Sequence, residues 1–406
     1  MPRSLHLNPP FRAEHIGSFL RPATLVQKRF DYEAQKCTAE ELRALEDESI
    51  PAVVALQREV GVKTITDGEM RRGAFYEGLF EKLEGMTPVP NRPLSEFKQY
   101  VPYVAIFNMM GMTSCWSMYC SSKIQRKRGI HTEDFAFLKG LVSPEEVKRI
   151  KVTVCGPTWM HLRHGTEYTY DKSVYKTDEE YFADLIRVYR EELAALYELG
   201  CRHIQFDDPT FAFFCADSMI VGMEQAGVDH EALLSQYIDV YNEILKDQPA
   251  DLTLGLHTCR GNFKGMHYSE GSLERIAVKL FNDLNIDCYY LEYDTERAGG
   301  LEPLRHLPLN KTVVLGLVTT KTGKMESVDD IRARVESAVE IISQGSPKRS
   351  REDALNQICI SPQCGFASVF EGNPISEEDE RSKLGLVVEV ARQVWGRKCA
   401  KVDMEY

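Results

Sequence analysis

Residues 252–259, Leu-Thr-Leu-Gly-Leu-His-Thr-Cys, join a short apolar run to two residues that can bind a metal. The run has the length and composition of a buried β-strand. Because side chains alternate between the two faces of a strand, His257 and Cys259 point to the same face. An imidazole and a thiolate placed in this way can reach one metal ion.

About seven further runs of this kind occur along the chain, separated by longer amphipathic segments. The alternation of short apolar runs with helical segments is typical of a parallel α/β protein. We predict a (β/α)8 barrel, the TIM barrel; a doubly wound open sheet is the alternative, because strand count does not distinguish the two. The eight runs lie near residues 11–15, 62–66, 151–155, 202–206, 252–257, 288–292, 312–317 and 357–361.

The helical segments begin with a hydroxyl residue followed three positions later by an acid, the spacing of an N-terminal cap. Residues 67–150, between the second and third runs, fit no single helix, and we predict an excursion from the barrel there, with 100–107 as hairpin material. No internal repeat or low-complexity linker is visible, so we expect one domain over residues 1–406. The caps are Thr38 with Glu41, Thr177 with Glu180, and Ser376 with Asp379, and Gly200 is placed to end the second of these helices.

The composition excludes several classes of function. Hydrophobic residues make up 43% of the chain and charged residues 27%, as in an ordinary globular protein. The 49 basic and 61 acidic residues give a formal charge of −12, which disfavours nucleic acid and anionic membranes as partners. We see no secretory signal, and the 11 cysteines follow no disulfide framework, so we expect reduced thiols and a cytoplasmic location.

Polar residues or glycines follow every predicted strand, and in a barrel these ends meet at one mouth, where catalysis takes place. Glu292 ends the sixth run and Cys364 follows the eighth. Together with His257 and Cys259 they offer one nitrogen, two sulfurs and one carboxylate, a plausible tetrahedral zinc set. The alternative is that His257 is a hydrogen-bonded core residue and that the cysteines only pack.

In its landmarks the sequence resembles the cobalamin-independent methionine synthase family, specifically the C-terminal catalytic barrel without its N-terminal duplicate. The resemblance runs from His15 to about Trp395 and rests on the order of the landmarks. These are Ile16-Gly17-Ser18, Asp67-Gly68-Glu69, Gly156-Pro157, Gln205-Phe206-Asp207-Asp208-Pro209, His257-x-Cys259, Glu292 and Pro362-x-Cys364-Gly365.

This resemblance implies that His257, Cys259, Glu292 and Cys364 hold a zinc ion that binds the sulfur of homocysteine. It also implies that Ile16 and Ser18 hold the carboxylate of the amino acid, and that Glu69 and Asp207 hold its ammonium group. An N-cap role for Asp207 and Asp208 is the alternative. We add Gln205 and Trp159 to the predicted substrate contacts; Trp159 could stack on a planar group such as a pterin, with core packing as the alternative.

A free thiol has a pKa near 8.5, so little thiolate exists at neutral pH, whereas a zinc-bound thiol is deprotonated. Two cysteinates and a carboxylate place three negative charges around the metal. This charge keeps a bound substrate thiolate nucleophilic, and it favours alkyl transfer to sulfur over hydrolysis.

Three departures from the family pattern limit the substrate prediction. Lys321 stands where the family has a histidine that protonates the leaving group, Gln363 replaces an aspartate, and residues 365–369 differ from the usual tail. The lysine variant resembles a shorter subgroup that includes zinc enzymes opening epoxides with a thiol. We therefore predict Lys321 as a proton donor, with a structural ion pair as the alternative, and Asp207 as the second catalytic residue.

The leading hypothesis is zinc-dependent methyl transfer to homocysteine or a similar thiol, with a methyl-folate as one candidate donor. The first alternative is addition of a thiol to another electrophile such as an epoxide. The second is a metal-binding barrel without catalytic activity.

Overall fold

The structure, a computed structural model, describes residues 4–396. The strands in this part of the chain are β1 Glu84–Pro93, β2 Ser114–Gln125, β3 Lys151–Cys155, β4 His203–Asp207, β5 Thr253–Thr258, β6 Cys288–Glu292, β7 Thr312–Val318 and β8 Ile358–Pro362. The helices are α1 Ala23–Glu33, α2 Ala39–Val60, α3 Pro102–Met109, α4 Thr132–Lys139, α5 Trp159–Tyr168, α6 Asp178–Glu198, α7 Thr210–Phe213, α8 Asp217–Gln225, α9 His230–Leu245, α10 Ala277–Asn282, α11 Val328–Gln344, α12 Arg351–Asn356 and α13 Glu377–Trp395.

Strands β3 to β8 form one parallel sheet in which each strand pairs with the next along the chain. All residues of these six strands are buried, because helices cover the outer face of the sheet. The register places Asp207, the last residue of β4, beside His257 of β5. The α/β class predicted from the alternating runs is confirmed.

The first two predicted strands, 11–15 and 62–66, are not regular strands. Each segment forms a single isolated β-bridge to the sheet, and together the two segments close the barrel. Ala13 bridges Ile360 of β8, and Ile65 bridges Ile150 next to β3. Side chains join the two segments to each other: the Thr64 hydroxyl donates to Glu14 at 2.6 Å. The expectation of two full strands was therefore wrong, because side-chain hydrogen bonds replace most of the backbone ladder here. These two segments, 11–15 as the first stave and 62–66 as the second stave, complete the eight-membered barrel together with the six strands of the parallel sheet.

The excursion after the second stave contains an antiparallel hairpin of β1 and β2. The prediction of hairpin structure at 100–107 was wrong, because these residues enter helix α3. Pro102 occupies the first turn of that helix, where its fixed φ angle suits the helix and its missing N–H costs nothing. The hairpin strands flank α3 on either side in the sequence.

The helix caps form as predicted. Thr38 and Ser376 take part in reciprocal capping boxes, and Thr177 accepts a hydrogen bond from the backbone N–H of Glu180. Gly200 follows the C-cap of α6 with a φ of +105°, a conformation that glycine adopts without strain. These caps fix where the helices start and thus the length of the loops above the sheet.

The interior of the barrel contains a buried ion pair below the mouth. Lys151 of β3 and Glu14 are both fully buried and lie 3.3 Å apart, and the Lys151 ammonium also donates to the backbone carbonyl of His15. This pair joins the first stave to β3 across the inside of the ring. None of the helices among residues 4–396 combines the length and the hydropathy of a membrane-spanning segment.

Candidate active site

Three of the four predicted metal ligands converge at the carboxyl ends of the strands. The ligand atoms of His257, Cys259 and Cys364 all lie within 4.8 Å of one another, and all three side chains are buried. The two sulfur atoms are 3.8 Å apart. A tetrahedral zinc with metal–sulfur bonds of about 2.3 Å requires a sulfur–sulfur distance of roughly 3.8 Å, so the two cysteines are spaced to share one ion.

The orientation of the His257 ring also suits metal binding. His257 Nδ1 lies 3.2 Å from the backbone carbonyl of Tyr290, which can only accept a hydrogen bond, so the ring proton is on Nδ1. Nε2 is buried and has no hydrogen-bond partner among the described residues. A lone pair held in this way is a ready metal ligand, and these three residues fit a zinc ion.

The thiol of Cys364 is poised as a thiolate. Its contact with Cys259, together with the neighbouring His257 and the charge of Lys321, holds the pKa of Cys364 well below its usual range despite complete burial. Metal binding by cysteine requires the thiolate form. The environment therefore favours the form of Cys364 that a metal needs.

Glu292, the fourth predicted ligand, is fully buried at the end of β6 but stands outside this group. Its Oε1 accepts a hydrogen bond from Arg297 Nε at 2.6 Å, and its Oε2 accepts one from the backbone N–H of Arg260 at 2.8 Å. Its role as a ligand stays a prediction.

Two carboxylates lie close together next to the metal-binding residues. Burial, followed by the charge of Glu69, raises the pKa of Asp207 to about 7. Glu69 Oε1 accepts hydrogen bonds from Thr153 and Arg72, whereas its buried Oε2 has no partner among the described residues. Two buried acids with an unsatisfied oxygen are suited to bind a cation such as an ammonium group.

Gln205 connects this acid pair to the loop after the first stave. Its Nε2 donates to the Ile16 carbonyl at 2.6 Å and to Asp207 Oδ1 at 2.7 Å, so the side chain positions both groups. Ser18 is packed against Gly365, where a Cβ atom would lie 1.9 Å from the serine hydroxyl. Gly365 thus allows the loop after β8 to approach the serine predicted to bind the carboxylate.

The N-cap role, given as the alternative for Asp207 and Asp208, belongs to neither aspartate, because the N-cap residue of helix α7 is Pro209 and no side chain caps that helix. Asp208 instead bonds to its surroundings in the fold. Its Oδ1 accepts the backbone N–H of Thr210 at 3.0 Å, and its Oδ2 accepts the hydroxyls of Thr158 and Tyr241. Among the described residues, Asp208 has its oxygens satisfied by the fold. Asp207 is left to face the cavity.

A cavity of about 220 Å³ opens above these residues. Its polar part is formed by Ser18, Glu69, Asp207, His257, Cys259 and Cys364, and its aromatic part by Phe75, Tyr76, Tyr103, Phe107, Trp159, Phe213, Phe263 and Tyr268. Trp159 is 4% exposed and lies between Phe75 and Tyr103, at ring-centre distances of 5.4 and 5.8 Å. It therefore both lines the cavity and packs in the core.

The aromatic part was missed in the sequence, apart from Trp159. Tyr76, Tyr103 and Phe107 belong to the excursion, and Tyr268 follows β5 in a long loop. No periodic pattern relates these segments. The available signal is the run of aromatic residues at 100–107, where hairpin material is predicted from the sequence.

One buried cation also lines the cavity. The Arg163 guanidinium is within 6 Å of the ring centres of Tyr76, Tyr103 and Trp159, and its Nε donates to the Tyr103 hydroxyl at 2.9 Å. Its Nη atoms donate to Met160 Sδ, Cys115 Sγ and the Trp116 carbonyl, none of which is a carboxylate. The positive charge is held mainly by aromatic faces and neutral acceptors.

Lys321, the predicted proton donor, is not among the residues that line the cavity. Its Nζ donates to the Gly261 carbonyl at 2.9 Å, to Asn262 Oδ1 at 3.1 Å and to the Met266 carbonyl at 3.4 Å. All three partners lie in the loop after Cys259. The side chain fixes this loop in the structure, and proton donation by Lys321 stays a prediction.

Known proteins resemble this chain in sequence and in fold. Residues 164–393 match the family described as "Cobalamin-independent synthase, Catalytic domain". The uncharacterised protein YxjG of Bacillus subtilis (strain 168) is 35% identical over 95% of each chain.

Two solved structures have the same fold. The putative vitamin-B12 independent methionine synthase of Listeria monocytogenes superposes with a TM-score of 0.70 at 31% identity, covering 95% of this chain and 98% of that one. The B12-independent methionine synthase of Shewanella sp. W3-18-1, solved in complex with selenomethionine, gives a TM-score of 0.67 at 18% identity, covering 96% and 99%. From the matched domain and the relatives that it resembles over nearly its whole length, the chain belongs to the cobalamin-independent methionine synthase family and corresponds to its catalytic domain.

Proposed function

We propose that the protein is a zinc-dependent S-alkyltransferase that transfers a methyl group to the thiol of homocysteine or of a similar amino acid. The observation that carries the proposal is the position of a His-Cys-Cys cluster beside a buried acid pair in one cavity. A thiol amino acid needs both: a metal for its sulfur and a counter-charge for its ammonium group.

The acid pair and the loop after the first stave would bind the amino acid. The unpartnered Oε2 of Glu69 and the ionised Asp207 accept the ammonium N–H groups, while Ser18 donates to the carboxylate. Through its two hydrogen bonds, Gln205 holds the Asp207 carboxylate in place relative to this loop. The two charged groups on the α-carbon of the amino acid would thus be fixed, and its side chain would extend toward the sulfur ligands.

His257, Cys259 and Cys364 would hold the zinc ion, with Glu292 as a predicted further ligand. Bound zinc lowers the pKa of a coordinated thiol and so supplies a thiolate at neutral pH. The two cysteinates keep the charge of the site low, because they offset the charge of the ion. The site therefore suits a sulfur nucleophile better than hydrolysis.

The aromatic part of the cavity would bind the alkyl donor. Its rings form an apolar wall that excludes water from the reacting sulfur, and they offer stacking faces for a planar donor such as a methyl-folate. A small electrophile such as an epoxide would also enter this space. The two donors correspond to the leading and the alternative reaction.

The experiment is product analysis with purified, zinc-containing protein. Homocysteine is supplied with 5-methyltetrahydrofolate in one reaction and with a small epoxide in another, and products are identified by mass spectrometry. Methionine formation that is lost in Cys364→Ser supports the proposal. A thioether from the epoxide alone moves the proposal to the alternative electrophile, and zinc binding without alkylation of any thiol contradicts it.

A further inference from the structure

Arg163 is a buried cation whose hydrogen-bond partners in the described part of the chain are all neutral. It is 2% exposed in helix α5, and among the described residues that line the cavity it is the only lysine or arginine. The acids that line the same cavity accept hydrogen bonds from other side chains, which are Thr153 for Glu69, Gln205 for Asp207 and Thr158 for Asp208. Because a guanidinium keeps its proton at neutral pH, Arg163 carries a positive charge that none of these groups pairs with.

The fold does not use all the hydrogen-bond donors of this guanidinium. Nε donates to the Tyr103 hydroxyl at 2.9 Å, and Nη2 donates to the Trp116 carbonyl at 2.9 Å and to the Cys115 sulfur at 3.5 Å. Nη1 carries two N–H groups, and its one acceptor among the described residues is the thioether sulfur of Met160 at 3.8 Å. A thioether is a weak acceptor, so at least one N–H group remains available to a ligand in the cavity.

Arg260, a second buried arginine near the barrel mouth, shows the contrast. Each of its three guanidinium nitrogens donates to a backbone carbonyl, those of Gly271, Glu292 and Ala298, and the residue does not line the cavity. The loops around Arg260 therefore satisfy its donors. Those of Arg163 are satisfied only in part, on the side chain that faces the space for a ligand.

Four aromatic rings surround the Arg163 guanidinium. Its central carbon lies between 5.1 and 5.8 Å from the ring centres of Tyr76, Phe97, Tyr103 and Trp159. The ring faces stabilise the cation and keep water away from it. Folding has thus already removed the guanidinium from water and fixed its orientation, so an anion that enters the cavity meets a preorganised donor for charge-assisted hydrogen bonds.

We propose that Arg163 is a substrate-binding residue that holds an anionic group of the alkyl donor, a carboxylate or a sulfonate, in the aromatic part of the cavity. This proposal rests on the proposed function, in which the amino acid occupies the acid pair and the donor occupies the space between the rings. The donor class is then one in which an apolar or planar group packs on the rings and carries the anion. A neutral electrophile such as a simple epoxide leaves Arg163 without a counter-charge and is a poorer donor.

The test compares two probes of the same shape and different charge. Phenylacetate and the neutral phenylacetamide are titrated into wild-type protein that is saturated with methionine. Binding is followed by tryptophan fluorescence, because the Trp159 ring lies 5.5 Å from the Arg163 guanidinium. We expect phenylacetate to bind at least about tenfold more tightly than the amide, since only the anion forms a charge-assisted hydrogen bond. In Arg163→Met this preference is lost while the affinity for the amide stays unchanged, and Arg163→Lys retains part of the preference.

Arg202→Met is the matched control. Arg202 also lies over a tyrosine, 3.9 Å from the ring centre of Tyr197, but it pairs with Asp251 and does not line the cavity. Its substitution should change the affinity for neither probe.

The wild-type comparison needs no variant, and it decides the question if Arg163→Met does not fold. Equal affinities of the two probes for wild type overturn the proposal, as does an unchanged preference for phenylacetate in folded Arg163→Met. Displacement of phenylacetate by methionine also overturns it, because the anion then occupies the amino-acid site. Failure of methionine itself to bind contradicts the proposed function instead, which separates the two failures.

Discussion

Asp207 and Glu69 present two carboxylates to the same part of the cavity, and burial makes the first of them sensitive to pH near neutrality. The pKa of Asp207 is raised to about 7, first by burial and then by Glu69. Protonation removes one of the two charges that would attract an ammonium group. The affinity for an amino acid should therefore depend on pH at this residue.

We predict that methionine, a ligand without a thiol proton, binds several-fold more tightly at about pH 7.5 than at about pH 6. The ionised carboxylate attracts the ammonium group, so affinity rises as pH increases through the pKa of Asp207. In Asp207→Asn we expect weaker binding with little pH dependence. Titration calorimetry at the two pH values measures this, and a wild-type affinity that is constant or falls with pH contradicts the assignment of Asp207.

At the scale of single elements, loops that carry site residues are held by charged side chains from neighbouring elements. Lys321 follows β7 and donates to three acceptors in the loop after β5. Glu380 of α13 accepts the backbone N–H of Leu20, in the loop that carries Ser18. Each side chain couples an element outside the site to a loop within it.

For Lys321→Met we predict a fall of roughly 1–3 kcal/mol in the free energy of unfolding, because three acceptors, two of them buried, lose their donor. Some turnover should remain once zinc is bound. Denaturant unfolding and kcat are measured on this variant and on Lys324→Met, an exposed lysine in the same loop, as the control. Unchanged stability together with complete loss of turnover would instead identify Lys321 as the proton donor.

For Glu380 we predict a pH-dependent effect on stability. Burial raises its pKa from 4.5 to about 8, so the folded protein binds a proton that the unfolded chain has released between these values. Stability therefore falls as pH increases from about 5 to 8, by up to about 1.4 kcal/mol per pH unit from this group.

Glu380→Gln keeps an acceptor for Leu20 but cannot ionise. Its free energy of unfolding should exceed that of wild type increasingly toward about pH 8. Thermal unfolding across this range is compared with Glu378→Gln, an exposed acid on the same helix. Parallel pH profiles for wild type and Glu380→Gln would refute this account of the helix.

At the scale of the whole molecule, much of the barrel and of its polar site could be predicted from the sequence. Alternating apolar runs located the six regular strands, and the period of two placed His257 and Cys259 on one face. The order of landmarks then related Cys364, more than a hundred residues away, to the same site. These signals are local patterns or a fixed chain order, which a sequence contains directly.

The remaining features depend on contacts that no local pattern describes. The first two staves form single bridges because side chains such as Thr64 and Glu14 replace the ladder between them. The aromatic part of the cavity combines the excursion with the loop after β5. Arg297 meets Glu292 only through the shape of the loop after β6.

The central claim is that the converging His-Cys-Cys cluster binds zinc. The most direct test is the metal content of wild-type protein, Cys364→Ser and Cys359→Ser, all purified without chelator and measured by atomic spectroscopy. Cys359 is a buried cysteine of β8 outside the cluster and serves as the matched control. We predict about one zinc per chain in wild type and Cys359→Ser and little in Cys364→Ser. Wild-type protein without zinc, or Cys364→Ser with full zinc content, would contradict the account.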